Sequence, residues 1–236
     1  MDHAKPTWDM VRADRDEFVA LARSLTDDQW HTPSLCEGWT VRDVVIHAGY
    51  DGGWDALLLL ARSRFSVHRM NETVLERDRP RTNESLVKSL SDMTFERVSS
   101  RIIGCGNCLR AMMIHQQDAR RPLGLARTIA EERLRAVLGF VTKRAGSGNL
   151  GSASRARGLQ LTAADIDWTL GSGPEVRGTS ARFGDCKATR AGRVKRGGPC
   201  QSRLTCQCAV LDRKGNVVGS PTQMSSRTSP IATYRA

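Results

Sequence analysis

The sequence predicts an all-α fold, a bundle of about five helices that is followed by a short strand-like segment and an irregular basic tail. Apolar residues recur with a helical period through the first 146 residues, capping signals precede two of these runs, and a Gly-, Ser- and Arg-rich texture follows. We therefore divide the chain into a bundle (1–146), a strand and turn segment (147–178) and a tail (179–236). With 236 residues, of which 39% are hydrophobic, the chain can form a real core.

The first two helices are predicted from apolar spacing and from one capping signal. Apolar side chains return at helical spacing through residues 7–30. After a connection that contains proline and glycine, Thr40 with Asp43 three residues later forms a capping box that begins the second helix. Because the glycines between residues 49 and 53 weaken this helix, the run up to Phe65 is either one kinked helix or two.

Three further helices complete the predicted bundle. Asn83 begins the third, with apolar residues again at helical spacing. The fourth covers residues 107–121 and is stopped by Pro122, which cannot continue a helix. Thr128 with Glu131 gives a second capping signal and begins the fifth helix.

The segment after the bundle has a different pattern. Apolar and polar residues alternate from Leu159 towards Trp168, which predicts a short strand, and residues 171–174 are typical of a turn. Beyond Gly178 neither a helical nor a strand period is sustained, so we expect a tail that packs poorly. Because the break is abrupt, a shifted reading frame is one hypothesis for the origin of this tail, and translation of the other frames tests it.

The positive charge of the chain is concentrated in the tail. The formal net charge is +11; residues 179–236 contain eleven lysines and arginines against two aspartates, or +9, which leaves +2 for the remaining residues. A basic tail can bind polyanions nonspecifically, but only Phe183 and Tyr234 could stack on bases there. We therefore do not expect specific nucleic-acid recognition, and regulation through the tail is kept as a third hypothesis for the function.

Location signals predict a cytoplasmic protein without a membrane partner. No apolar stretch approaches the roughly 20 residues that span a bilayer, and the first six residues carry charge and a proline where a secretory signal needs an apolar core. Seven cysteines, an odd number, argue against a disulfide framework. Cys105 and Cys108 form a C-x-x-C that precedes a helical run, which favours two reduced, packed cysteines over a redox centre.

Two histidines in the predicted helices have the polar neighbours that a metal site needs. His47 lies one turn after Asp43 and one turn before Asp51, and His115 has Asp118 three residues later, so each helix can place a carboxylate beside its imidazole. Such groups projecting from facing helices build metal sites in bundle cores, and two imidazoles with one carboxylate suit zinc or another divalent metal. The alternative is that each histidine is an ordinary hydrogen-bonded or surface residue.

Three stretches carry a resemblance to a known family: PSLCEGWTVRDVVIH at 33–47, LRAMMIHQQDARRPLG at 109–124, and residues 158–176. In this order they resemble the mycothiol-dependent maleylpyruvate isomerase family, whose N-terminal domain is a DinB-like helical bundle. The resemblance implies a divalent metal, usually zinc, held by a histidine at the end of the first motif and by a pair on a later helix. That pair is an acid or histidine followed four residues later by a histidine.

Carried over to this sequence, the resemblance assigns both histidines as metal ligands. The position four residues before His115 is Ala111, which cannot coordinate an ion. Asp118, Asp51 or Cys108 is then left to supply the third ligand, or the metal is weakly held or absent. Asp118 is the ligand that we predict.

The resemblance further implies that the metal binds and activates mycothiol. A cation stabilises a thiolate, which can add to an activated double bond of a small carboxylate substrate, permit rotation and leave. Arg120 and Arg121 are candidates to bind the carboxylate, unless they are a solvated pair that complements the helix dipole.

The predicted function is therefore a mycothiol-dependent, metal-binding isomerase or transferase. The main alternative is a non-catalytic DinB-like bundle with a degraded metal site, binding a small ligand or a partner. A homodimer is left open.

Overall fold

The computed structural model describes residues 5–50, 52, 54–95, 104–142, 158–181, 209–211 and 217–219. The helices of these residues are α1 (Lys5–Ser24), α2 (Asp27–His31), α3 (Val41–Ala48), α4 (Trp54–Arg62), α5 (Val67–Asp78), α6 (Asn83–Ser91), α7 (Cys105–Arg120) and α8 (Glu131–Thr142). The strands are β1 (Gln160–Ala163), β2 (Thr169–Gly171), β3 (Glu175–Gly178), β4 (Ala209–Leu211) and β5 (Val217–Gly219).

The helices form the predicted bundle, with α7 at its centre. This helix packs against α1 on one side and against α3 on another, while α3 also contacts α5 and α6. The core between them is aliphatic and aromatic, with Phe18, Val44, Leu75 and Leu109 almost entirely inaccessible to solvent. Burial of such side chains is the main favourable term in folding, so the bundle carries most of the stability of the described chain.

The helical prediction is confirmed for the bundle and wrong in several bounds. Residues 7–30 form two helices, because Thr26 makes a capping box with Gln29 and begins α2. Between Val41 and Phe65, where one kinked helix and two helices were both left open, the structure has two helices. Helix α5 was not predicted, because few of its residues are apolar. The last helix begins at Glu131, with its first backbone hydrogen bonds made to the carbonyl of residue 130, so Thr128 lies before its cap.

The strands form one mixed sheet in the order β2-β1-β3-β4-β5. Strand β1 confirms the predicted strand; it pairs antiparallel with β2 and parallel with β3. The prediction of an irregular tail is wrong for β4 and β5, which extend the sheet antiparallel beyond β3. Each has three residues, too short for its alternation to stand out in sequence. The rest of residues 182–236 lies outside the described part of the chain.

Helix α8 connects the bundle to this sheet. Leu138 on α8 is fully buried against Leu161, Trp168 and Val176 of the sheet segment, and Arg135 donates a hydrogen bond of 2.8 Å to the carbonyl of Asp167. None of the described helices has the length and apolar character needed to cross a membrane.

Candidate functional site

The first motif folds into a loop that is tied to the start of α3. Pro33 and Thr40 form an isolated antiparallel bridge, and the backbone N–H of Ser34 donates to the carbonyl of Trp39 at 2.8 Å. Thr40 caps α3: its hydroxyl accepts from the N–H of Asp43, and an Asp43 carboxylate oxygen accepts from the N–H of Thr40 at 3.0 Å. This confirms the capping box predicted from sequence and fixes the direction in which α3 leaves the loop.

Asp43, which lies one helical turn before His47, has a structural role. Its second carboxylate oxygen accepts a hydrogen bond of 2.9 Å from Arg79, which follows α5. Burial by itself would raise the pKa of Asp43, but the hydrogen bonds from Arg79 and Thr40 outweigh it, so the pKa lies below its ordinary value. Asp43 therefore anchors α3 to the end of α5.

His47 and His115, the imidazole pair, meet across the contact between α3 and α7. Their ring centroids are 4.8 Å apart, with the planes at 86°. The indole of Trp39 also contacts the His47 ring, with a centroid distance of 5.2 Å. Nδ1 of His115 is buried and has no hydrogen-bond partner among the described residues. The structure thus brings together the two predicted imidazoles, one of which has an unused nitrogen.

Asp118 lies behind His115. Its Oδ2 is 3.7 Å from Nδ1 of His115 and accepts a hydrogen bond of 3.4 Å from the thiol of Cys36. The backbone carbonyl of Asp118 also accepts from the N–H of Leu35 at 3.1 Å. The first and second motifs are therefore joined at Asp118, which couples the loop before α3 to α7.

The described residues contain no group of three or more His, Cys, Asp or Glu side chains that could hold a metal ion. The imidazole pair supplies two nitrogen donors, which suit a divalent transition metal. Ala111, one helical turn before His115, supplies none. Asp51 lies outside the described residues, and Cys105 and Cys108 are half-buried and not joined by a disulfide.

Arg120 lies on a different face of α7 from the imidazole pair. Its Nε donates to Oε1 of Gln116 at 3.2 Å, and the amide of Gln116 donates in turn to Asp14 on α1. Burial, together with the nearby charge of Arg127, lowers the pKa of Arg120 from its ordinary value. Arg121 caps the end of α7 and is partly buried.

A buried ion network occupies the α1 face of α7 and consists of Asp14, Glu17, Gln116, Arg127 and Arg133. The Asp14 carboxylate accepts from Arg127 and from Arg133, the latter at 2.9 Å, and Glu17 accepts from the same two arginines. Burial raises the pKa of Asp14, and this effect exceeds the lowering by the charges and hydrogen bonds of the arginines. At Glu17 the hydrogen bonds from the guanidinium groups outweigh burial, so its pKa is lowered.

Sequence reasoning gave no role to this network, nor to Cys36 and Trp39. Cys36 and Trp39 lie inside the first motif. The proline and glycine of that motif indicate a loop, and this was the signal in the sequence that could have placed both residues near the site. The network joins residues more than 100 positions apart, a separation at which helical spacing carries no information.

The fold and the imidazole pair define a helical bundle with a two-histidine centre. Residues 11–98 match the family model described as the mycothiol maleylpyruvate isomerase N-terminal domain. This match confirms the resemblance predicted from the motifs for this part of the chain. The first motif lies inside the matched residues, and the second and third lie beyond them.

Two solved structures are similar to the whole described fold. A crystal structure of mycothiol-dependent maleylpyruvate isomerase has 18% sequence identity and a TM-score of 0.54, and one of a histidine-to-alanine mutant of that enzyme has 16% and 0.52. Each similarity covers 92% of this chain and 96% of the other. A search of the curated proteins gives no match.

Proposed function

We propose that this protein is a mycothiol-dependent isomerase or transferase that acts in the cytoplasm and has its reaction centre at the imidazole pair. The observation that carries the proposal is the contact between His47 and His115, 4.8 Å apart between ring centroids, on helices that belong to the two separate motifs. The match of residues 11–98 to the mycothiol maleylpyruvate isomerase N-terminal domain model supports the use of a small thiol.

His47 and His115, the imidazole pair, would hold a divalent metal. We propose zinc, because zinc readily takes imidazole nitrogens as ligands. When bound, the cation stabilises the thiolate form of the cosubstrate at neutral pH. Asp118, the third ligand predicted from sequence, lies 3.7 Å from Nδ1 of His115 without a hydrogen bond to it, and it forms no three-residue metal group with the pair among the described residues. Because Ala111 contributes no ligand, we propose that this chain binds metal more weakly than a three-ligand site would.

The substrate in this proposal is a small carboxylate, for which Arg120 and Arg121 are the candidate partners. The guanidinium of Arg120 is held on the α1 face of α7 by Gln116. Arg121, at the end of the same helix, is a second cation within one residue. A planar guanidinium matches a carboxylate with two parallel hydrogen bonds. Because Arg120 faces the ion network and not the imidazole pair, Arg121 is the residue that we propose to orient the substrate.

Metal analysis tests the centre directly. The purified wild-type protein, incubated with zinc and passed through a desalting column, should retain metal, and His47→Ala and His115→Ala should each lose most of it. His31→Ala is the matched control, since His31 is exposed and lies outside the pair. Equal metal in all four samples would contradict these ligands.

Mycothiol-dependent isomerisation of a small unsaturated dicarboxylate such as maleylpyruvate is the second measurement. We expect activity in the wild type and in His31→Ala and its loss in both variants of the pair. Arg121→Gln should raise KM more than it lowers kcat, because it removes a contact made already in the bound substrate.

A specific observation favours a second candidate, a non-catalytic bundle that binds a small ligand. The described residues gather no third metal ligand, and a groove of about 550 Å³ lies away from the imidazole pair, between the end of α1, α2 and α6. Trp30 and Val87 give it an apolar floor, and Arg23, Lys88 and Glu84 are among its charged lining. A wild-type protein without metal and without isomerase activity would favour this candidate.

A further inference from the structure

Exposed apolar side chains are concentrated at one corner of the bundle. Of the five large apolar side chains that are well exposed among the described residues, four lie between Leu57 and Val67. Phe65 is 78% exposed, the highest value among them. A cluster of this kind is typical of a surface that contacts another apolar phase, whereas single exposed apolar residues are ordinary.

The backbone holds Phe65 in this exposed position. Helix α4 ends with the N–H of Phe65 donating to the carbonyl of Leu60 at 2.9 Å and the N–H of Arg64 donating to that of Ala61 at 3.0 Å, the two bonds of a Schellman motif. Arg64 occupies the left-handed position that normally favours glycine, with φ of 54°, and Phe65 follows with φ of 57°. In this motif the residue at Phe65 usually packs back on Leu60, so its exposure here is a departure from the motif.

Three arginines surround these apolar side chains. Arg62, Arg64 and Arg69 are exposed, and none of them forms an ion pair with a carboxylate among the described residues. We call the whole surface the α4–α5 corner. It consists of Leu57, Leu58, Arg62, Arg64, Phe65, Val67 and Arg69.

The combination identifies the partner. A second copy of this chain, joined by a two-fold axis, would bring the same arginines of both copies together and is disfavoured by their repulsion. An anionic lipid surface satisfies both features, because its headgroups pair with the arginines while the side chains of Phe65 and Leu58 enter the acyl boundary. We propose that the α4–α5 corner docks this protein on anionic membranes as a peripheral protein, without any spanning helix.

Binding to vesicles tests the proposal. In cosedimentation, the wild type should bind vesicles of phosphatidylcholine and phosphatidylserine in equal parts and not vesicles of phosphatidylcholine alone. Phe65→Asn should weaken binding about tenfold by removing the largest apolar group. Each of Arg62→Gln, Arg64→Gln and Arg69→Gln should weaken it about fivefold. Asparagine tolerates the left-handed backbone well, so the Phe65 variant should fold, which a thermal melt by circular dichroism checks.

The basic tail could by itself attract anionic vesicles, and matched variants separate the two surfaces. Leu170→Asn removes an exposed apolar side chain on β2, and Arg23→Gln removes an exposed positive charge on α1; both should bind as the wild type does. If Phe65→Asn binds as tightly as these controls, or if the wild type does not bind, the proposal is overturned. It is also overturned if duplex DNA binds as tightly as the vesicles and loses affinity only in the arginine variants, which would indicate a nucleic-acid surface.

Discussion

Helix α7 carries polar side chains on two faces, and the two differ in how completely their atoms are paired. Towards α1, the Asp14 carboxylate of the buried ion network accepts from Arg127, Arg133 and Gln116. Within this network only Nη1 of Arg127 is buried without a partner. Towards α3, the buried Nδ1 of His115 has no hydrogen-bond partner among the described residues.

This difference separates a structural cluster from a candidate reaction centre. Buried polar atoms are normally paired, and an unpaired one costs stability unless something binds it. The carboxylates of the ion network are already saturated by guanidinium groups, so they have little capacity for a ligand and act on stability. The imidazole pair retains unused binding capacity at His115, which is what a ligand site requires.

The largest expected effect lies in the ion network. Asp14→Ala removes the carboxylate shared by Arg127 and Arg133 and leaves buried positive charge with fewer partners, so we expect the free energy of unfolding to fall by about 3–5 kcal/mol. Urea denaturation followed by circular dichroism measures it.

Asp9→Ala is the control for Asp14→Ala. Asp9 is an exposed partner of Lys5 and Arg12 on the same helix, and exposed pairs contribute at most about 1 kcal/mol. Equal losses in the two variants would contradict the assignment of the network to stability.

The next effect concerns the affinity of the imidazole pair for metal. Ala111→Glu places a carboxylate one helical turn before His115, on the face where the resemblance expects a ligand. We expect zinc to bind at least about tenfold more tightly, since even supporting residues of a metal site change affinity by that factor. Competition with a chromophoric chelator measures the affinity.

Ala111→Gln is the matched control for that experiment. It has nearly the same size and shape as glutamate but no charge, and amides are poor zinc ligands. Identical affinity of the two variants would exclude position 111 as part of the site, whereas tighter binding in Ala111→Glu alone would show that the pair needs only this ligand.

Much of the α3 side of α7 was predictable from sequence, and little of the α1 side was. The capping box of Thr40 and Asp43 fixed the start of α3, and the helical positions of His47 and His115, together with the motifs, predicted that two imidazoles meet. Local spacing is sufficient for such elements because their determinants lie within a few residues.

The ion network could not be predicted, because its partners come from distant parts of the chain. Nothing in the spacing around Arg127 indicates Asp14, and a charged residue is expected at the surface unless its partner is known. The same reason hides β4, which is held by pairing with β3 and has no alternation of its own. Helix α5 was missed because tertiary packing of a few side chains such as Leu75 stabilises a helix with a weak apolar pattern.

A smaller effect is expected from pH at the anchor of α3. Because the pKa of Asp43 in the folded protein lies below its ordinary value of 3.8, the folded state binds fewer protons than the unfolded state between these values. The contribution of Asp43 to stability is therefore present above pH 3.8 and is lost as the pH falls through the lowered pKa. Its slope cannot exceed about 1.4 kcal/mol per pH unit.

Asp43→Asn isolates this contribution. We would measure the free energy of unfolding of the wild type and the variant by urea denaturation, from about pH 5, where a carboxylate begins to take up protons, down to the lowest pH at which both fold. The free energy of unfolding should depend less steeply on pH in the variant. Parallel curves would mean that Asp43 titrates alike in the folded and unfolded states, against the geometry of its bond with Arg79.

The smallest effect is expected from His115→Leu. Replacing a buried imidazole that has an unpaired nitrogen by an apolar side chain of similar size is nearly neutral or stabilising in metal-free protein, so we expect the free energy of unfolding to change by no more than about 1 kcal/mol.

Gln116→Leu is the matched control at the neighbouring residue. It removes the hydrogen bonds that Gln116 makes with Asp14 and Arg120 and should lower the free energy of unfolding by about 1–3 kcal/mol. With zinc present, the wild type should gain stability and His115→Leu should not, because only a protein that binds the ion is stabilised by it. If both substitutions lower the free energy of unfolding equally without metal, the polar atoms on the two faces of α7 are equally well paired. That result would contradict the assignment of the imidazole pair as a binding centre.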